Sequence, residues 1–93
     1  MNRIDGKRAV VTGGTQGLGA AVAKTFADAG AASVTICGRK SANGTQVARD
    51  ITNATGCKVL FVQADLGVVA DCRKVIAEAD NAFQNIDVLV NAA

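Results

Sequence analysis

The sequence predicts an α/β chain with a parallel sheet covered on both faces, element order βαβαβαβ and strand order 3-2-1-4. Three observations lead there: four nearly continuous apolar runs, helical periodicity in the segments between them, and a glycine-rich turn directly after the first run. Strands are expected at about Arg8–Thr12, Ser33–Cys37, Lys58–Gln63 and Asp87–Asn91. Their cores are Ala9-Val10-Val11, Val34-Thr35-Ile36-Cys37, Val59-Leu60-Phe61-Val62 and Val88-Leu89-Val90. Such runs suit strands buried on two sides, where no alternation with polar residues is needed.

Helices are expected at about Gly17–Ala29, Ser41–Thr55 and Val69–Gln84. Their apolar stripes are Leu18, Val22 and Phe26, then Val47, Ile51 and Ala54, then Cys72, Val75/Ile76, Ala79 and Phe83. Gly30 and Gly56, just past the first two helices, are expected C-terminal caps. Right-handed crossovers put the first two helices on one face of the sheet and the third on the other. The fourth strand is then an apolar edge under a thinly covered face, open to pairing with another chain.

The turn Thr12-Gly13-Gly14-Thr15-Gln16-Gly17-Leu18-Gly19 has the chemistry of a pyrophosphate cradle. Glycine serves where φ must be positive or where a side chain would hold the backbone away from a ligand. Gly13 ends the strand, while Gly17 and Gly19 open the helix and bare its unpaired amides, whose dipole attracts anions. Thr15, Gln16 and Leu18 would add backbone N–H groups, and Thr15 its hydroxyl. Two other glycine motifs are excluded. A phosphate-transfer loop needs Gly-Lys followed by Ser or Thr, whereas the first lysine after the turn is Lys24. The G-x-G-x-x-G/A fingerprint begun at Gly17 needs a small residue at Val22. T-G-x-x-x-G-x-G remains, and a glycine-rich surface turn without ligand is the alternative reading of it alone.

Composition narrows the class. A chain of 93 residues is one domain or less for a sheet type that normally has six or seven strands. With 49% apolar residues, no proline and no charge block, no disordered tail is expected. The net charge of +2 is scattered, which leaves no electrostatic footprint for nucleic acid. Cys37, Cys57 and Cys72 are far apart, lack Cys-x-x-Cys spacing and have no histidine to join them, so no metal site is expected. Cys37 and Cys72 read as small core residues. The odd cysteine count, the polar start from Met1 to Lys7 and the lack of a long apolar run point to a soluble cytoplasmic protein that does not enter a membrane.

With these features in place, the chain resembles the N-terminal part of a short-chain dehydrogenase/reductase. The resemblance rests on Thr12 to Gly19, the pair Gly38-Arg39 ending the second strand, Asp65-Leu66 after the third and Asn91-Ala92-Ala93 after the fourth. It covers essentially every residue, and implies an incomplete Rossmann-type doubly wound sheet in which residues 1–93 are the dinucleotide-binding part of a single domain. By family pattern Gly13, Thr15, Gln16, Gly17, Leu18 and Gly19 line the pyrophosphate and adenosine ribose. Asp65 meets the adenine amino group, Leu66 the base edge, and Asn91 and Ala92 flank the cofactor. The alternative reading of Asp65 is a turn residue or helix cap, and that of Asn91 a residue that fixes the sheet.

The acidic residue that would accept hydrogen bonds from the ribose hydroxyls of NAD is replaced by Gly38. Arg39 follows with a fork suited to phosphate, and Lys40 stands beside it, which favours NADP over NAD. The alternative is a solvated basic pair. The resemblance further implies hydride transfer to or from a carbonyl or alcohol substrate, and homo-oligomers in the full-length enzyme. The family's catalytic Asn, Ser, Tyr and Lys belong to a segment after the fourth strand. The 93 residues contain no tyrosine and no histidine, so no catalytic residue is expected among them and the segment alone should be inactive. The competing reading is a truncated, non-catalytic module for dinucleotide binding or chain pairing. Lys24, Lys40, Lys58 and Lys74 read as solvent-facing charges.

Overall fold

Each apolar run forms a strand and each periodic segment a helix, in the order β1 (Arg8–Thr12), α1 (Gly17–Asp28), β2 (Ser33–Gly38), α2 (Ser41–Thr55), β3 (Lys58–Gln63), α3 (Val69–Phe83) and β4 (Val88–Asn91). The computed structural model describes residues 4–13 and 17–92. The sheet is parallel throughout, with the expected order β3-β2-β1-β4. Thr12 lies opposite Cys37 on one side and Asn91 on the other, and Gly38 lies opposite Gln63. That register aligns the C-terminal ends of all four strands along one edge.

The two sheet faces bury separate cores. Val11, Val34 and Ile36 pack under α1 and α2 with Ala23, Ala27, Ala48, Ile51 and Cys57. Val10, Cys37 and Val62 pack under α3 with Ala64, Val75 and Ala79. This is the two-helix, one-helix division that right-handed crossovers require. Ser33 and Thr35 share the α3 side of β2 with Cys37 by strand alternation. Their hydroxyls are buried with no hydrogen-bond partner among the described residues.

The expected helix stripes are corrected in detail. In α1 the buried residues are Gly19, Ala23 and Ala27, while Val22 and Phe26 flank them and Leu18 is 72% exposed. Small side chains bring the helix axis close to the sheet, and the larger ones then fill the margins. In α2 the buried positions are Gly44, Ala48 and Ile51, with Ala54 exposed. A Cβ at Gly44 would collide with the Phe61 ring, so glycine there is what lets β3 and α2 meet. In α3, Val75 and Ala79 are buried but Ile76 is 41% exposed.

Helix ends follow local chemistry. Gly56 caps α2 in the left-handed region and donates its N–H to the Thr52 carbonyl at 2.8 Å, as expected. Gly30, also at positive φ, donates to Ala27 at 3.3 Å. The same role after α3 falls to Gln84, a side-chain-bearing residue at φ 71. β4 starts one residue later than expected because Asp87 bonds to β1 through its side chain as well: the Arg8 N–H donates to Asp87 Oδ2 at 2.9 Å. On β4, Leu89 is 60% exposed.

Candidate functional site

Parallel strands end at one edge, so the loops leaving them form a single rim, and sheets of this topology bind ligands there. All the sequence-predicted positions that the structure describes lie on this rim: Gly13, Gly17, Leu18, Gly19, Arg39, Lys40, Asp65, Leu66, Asn91 and Ala92. Thr15 and Gln16 lie outside the described residues.

At the β1 end, Gly13 and Gly17 both have positive φ, 75° and 57°, in the conformation that glycine alone adopts cheaply. Helix α1 starts at Gly17 with no acidic residue in its first turn, so the positive end of its dipole meets no carboxylate from the helix itself. Leu18 stands exposed above this turn, and Gly19 beneath it is buried. The Cys37 thiol lies under Gly13. Burial pushes its pKa up, a hydrogen bond from the Gly13 backbone opposes the rise, and Cys72 adds to it. Burial alone raises Cys57. Both thiols are therefore protonated core groups at neutral pH rather than nucleophiles.

The end of β4 is tied to the end of β1. The Thr12 hydroxyl lies 3.0 Å from Asn91 Oδ1 and 3.3 Å from the Val90 carbonyl, and the Ala92 N–H donates to the Thr12 carbonyl at 3.1 Å. Asn91 thus does fix the sheet, at the lip of the rim.

The ends of β2 and β3 enclose a cleft of about 360 Å³ lined by Arg39, Gln63, Ala64, Asp65, Asp71 and Lys74. Asp65 makes the turn that leads into α3: its Oδ1 accepts the Gly67 N–H at 2.9 Å, and its carbonyl accepts that of Val68 at 2.9 Å. The Asp65 N–H in turn donates to Asp71 Oδ2 at 2.8 Å. Asp65 is therefore a turn residue that also faces the cleft. Both carboxylates are engaged by backbone amides, and the Arg39 guanidinium has no carboxylate partner among the described residues. Lys40 is exposed at the N-cap of α2, with extended backbone and no side-chain capping bond. Leu66 is half-buried against the α3 core, and its carbonyl accepts the Cys72 thiol at 3.4 Å.

Gln63, Asp71 and Lys74 also line the cleft; none was a predicted site residue, and Lys74 was expected only as a solvent-facing charge. Gln63 Nε2 donates to the Arg39 carbonyl at 3.1 Å, and Lys74 Nζ to the Gln63 carbonyl at 2.8 Å. Asp71 completes the Asp65 turn. Asp71 and Lys74 sit one helical step apart at the start of α3, a spacing visible in the sequence, but their partners are backbone atoms that only the fold identifies. A wider apolar cleft of about 640 Å³, lined by Cys72, Arg73, Ile76, Ala77, Asp80, Asn85 and Ile86, contains none of the candidate residues. Among the described residues, no group of His, Cys, Asp and Glu side chains is placed to hold a metal ion, and no helix is long and apolar enough to cross a membrane.

Residues 7–93 match the model of the short chain dehydrogenase family. An uncharacterized oxidoreductase of Methylorubrum extorquens is 42% identical over 91 residues, covering 98% of this chain and 36% of that protein. The NADPH-dependent aldehyde reductase 1, chloroplastic, of Arabidopsis thaliana is 37% identical over 97 residues, covering 99% of this chain and 34% of the relative. The crystal structure of L-sorbose reductase from Gluconobacter frateurii complexed with NADPH and L-sorbose aligns with TM-score 0.93 at 33% identity, covering 98% of this chain and 34% of that one. The chain spans about a third of the length of the curated relatives it matches.

Proposed function

Because the chain belongs to the short chain dehydrogenase family, we propose that residues 1–93 are the dinucleotide-binding part of a single Rossmann-type domain in an NADP(H)-dependent oxidoreductase acting on a carbonyl or alcohol. The observation that carries the cofactor choice is at the end of β2. Gly38 stands where a carboxylate would repel a 2′-phosphate, and Arg39 follows in the cleft without a carboxylate partner among the described residues. Relatives named for NADPH add weight to this reading.

The donor set fits a dinucleotide. Gly13 and Gly17 have positive φ and carry no Cβ, and the first turn of α1 has no acidic residue to compete with an anion for its free amides. In this reading Gly13, Thr15, Gln16, Gly17, Leu18 and Gly19 hold the pyrophosphate and adenosine ribose. Arg39 and Lys40 meet the 2′-phosphate, Asp65 and Leu66 the adenine, and Asn91 and Ala92 the side of the cofactor facing β4. When bound, the nicotinamide would donate hydride to a carbonyl or accept it from an alcohol. The residues of this chain bind and orient; the acid–base group for the substrate oxygen is assigned to no residue among them.

The test is dinucleotide selectivity of the intact protein. Gly38→Asp combined with Arg39→Ala removes a charge-assisted contact of about 1.5–3 kcal/mol, so the NADP+ to NAD+ affinity ratio should fall about 10- to 100-fold. An unchanged ratio would sink the assignment. The exposed β4 edge, with Leu89 outward, favours a second reading as a non-catalytic binding or pairing module. That reading expects adenosine 2′,5′-bisphosphate to bind as tightly as NADP+, with no turnover of carbonyl compounds.

A further inference from the structure

The Arg39 backbone is anchored on both sides by the end of β3. The Ala64 N–H donates to the Gly38 carbonyl at 2.9 Å, which fixes the peptide plane before Arg39. Gln63 Nε2 donates to the Arg39 carbonyl at 3.1 Å, which fixes the plane after it. A planar peptide leaves only φ and ψ free at the intervening residue, so two fixed planes set the direction of the Arg39 Cα–Cβ bond. Gln63 is itself tied down, because its carbonyl accepts Lys74 Nζ from the first part of α3 at 2.8 Å. The first of the two anchors is a backbone contact that any residue could make. The second depends on the Gln63 side chain.

We propose that Gln63 is a positioning residue for dinucleotide selectivity, aiming the Arg39 guanidinium into the cleft by holding the Arg39 carbonyl. The inference rests on the reading of Arg39 as the 2′-phosphate ligand. Gln63 touches the cofactor nowhere in this scheme; it reduces the number of loop conformations that Arg39 must give up when phosphate binds. The side chain is exposed, so its replacement removes the tether and leaves the core untouched.

The experiment is a double-mutant cycle on the intact protein, with Kd for NADP+ and NAD+ measured by calorimetry on wild type, Gln63→Met, Arg39→Ala and the double variant. Methionine keeps length and shape but cannot donate. Gln63→Met is expected to weaken NADP+ binding about 3- to 10-fold and to leave NAD+ within about 2-fold. In the Arg39→Ala background the same change should have no further effect on NADP+. Equal losses for both dinucleotides, or a loss that persists without Arg39, would make Gln63 a general support of the cleft and overturn the proposal. If Arg39→Ala collapses the preference while Gln63→Met leaves it intact, only the positioning role fails. If Arg39→Ala leaves the preference unchanged, the 2′-phosphate reading fails and this inference with it.

Discussion

The two faces of the sheet are built from alternate residues of the same strands yet packed in different ways. Under α1 and α2 the contacts are Gly and Ala against Val and Ile, with Val11, Val34 and Ile36 fully enclosed. Under α3, β2 presents Ser33, Thr35 and Cys37, and the neighbouring Leu89 and Ile76 remain exposed. Close packing by two helices demands small, shape-matched residues, whereas a single helix tolerates polar atoms and leaves apolar margins. The first face is a finished interior and the second a partly covered one.

Adjacent residues of β1 break or sharpen that contrast most directly, since Val11 points to the first face and Val10 to the second. Val11→Ala is expected to cost about 3 kcal/mol and Val10→Ala about 2, because a cavity under one helix collapses more readily than one clamped by two. Urea unfolding midpoints read both, and equal losses would remove the distinction. Gly44→Ala comes next, with a loss of about 1–3 kcal/mol despite the better helix propensity of alanine, because the new methyl meets the Phe61 ring. A neutral result would mean that the ring moves aside.

On the second face Thr35→Val should raise stability, by about 1 kcal/mol, since it deletes an unpartnered buried hydroxyl while keeping the shape. Loss of stability instead would reveal a partner for that hydroxyl, such as a buried water. The smallest effect is expected from the thiols, one in each core: Cys57 in the first and Cys37 in the second. Burial raises both above the ordinary value of 9.0, so the folded chain keeps a proton that the unfolded chain loses there. Their contribution is complete below pH 9.0 and is lost as pH rises through the higher folded values. Unfolding midpoints compared at neutral pH and above pH 9.0 should therefore fall less for the Cys37→Ala, Cys57→Ala double variant than for wild type.

Much of the fold was legible because strand burial on two sides writes itself as runs such as Val34-Thr35-Ile36-Cys37, and because Gly13 and Gly17 announce a turn that other residues resist. The buried face of α1 was misread by one position for a related reason. Leu18, Val22 and Phe26 carry the hydrophobic signal, but close approach selects Gly19, Ala23 and Ala27, whose small side chains contribute little to any periodicity. At the rim, Arg39, Asp65 and Asn91 could be named from their places at strand ends. Gln63, Asp71 and Lys74 could not, since each acts on the backbone of a residue brought near by the fold.

The sequence by itself determined the order of elements, the parallel sheet and the edge on which the candidate site lies, because periodicity and glycine placement are local properties with local physical causes. Only the tertiary structure decided which small residues face the sheet, how far each face is covered, and which side chains hold the Arg39 loop. Those outcomes depend on distances between segments far apart in the chain. Such distances are set by packing, in which every helix position is a compromise among all the side chains beneath it.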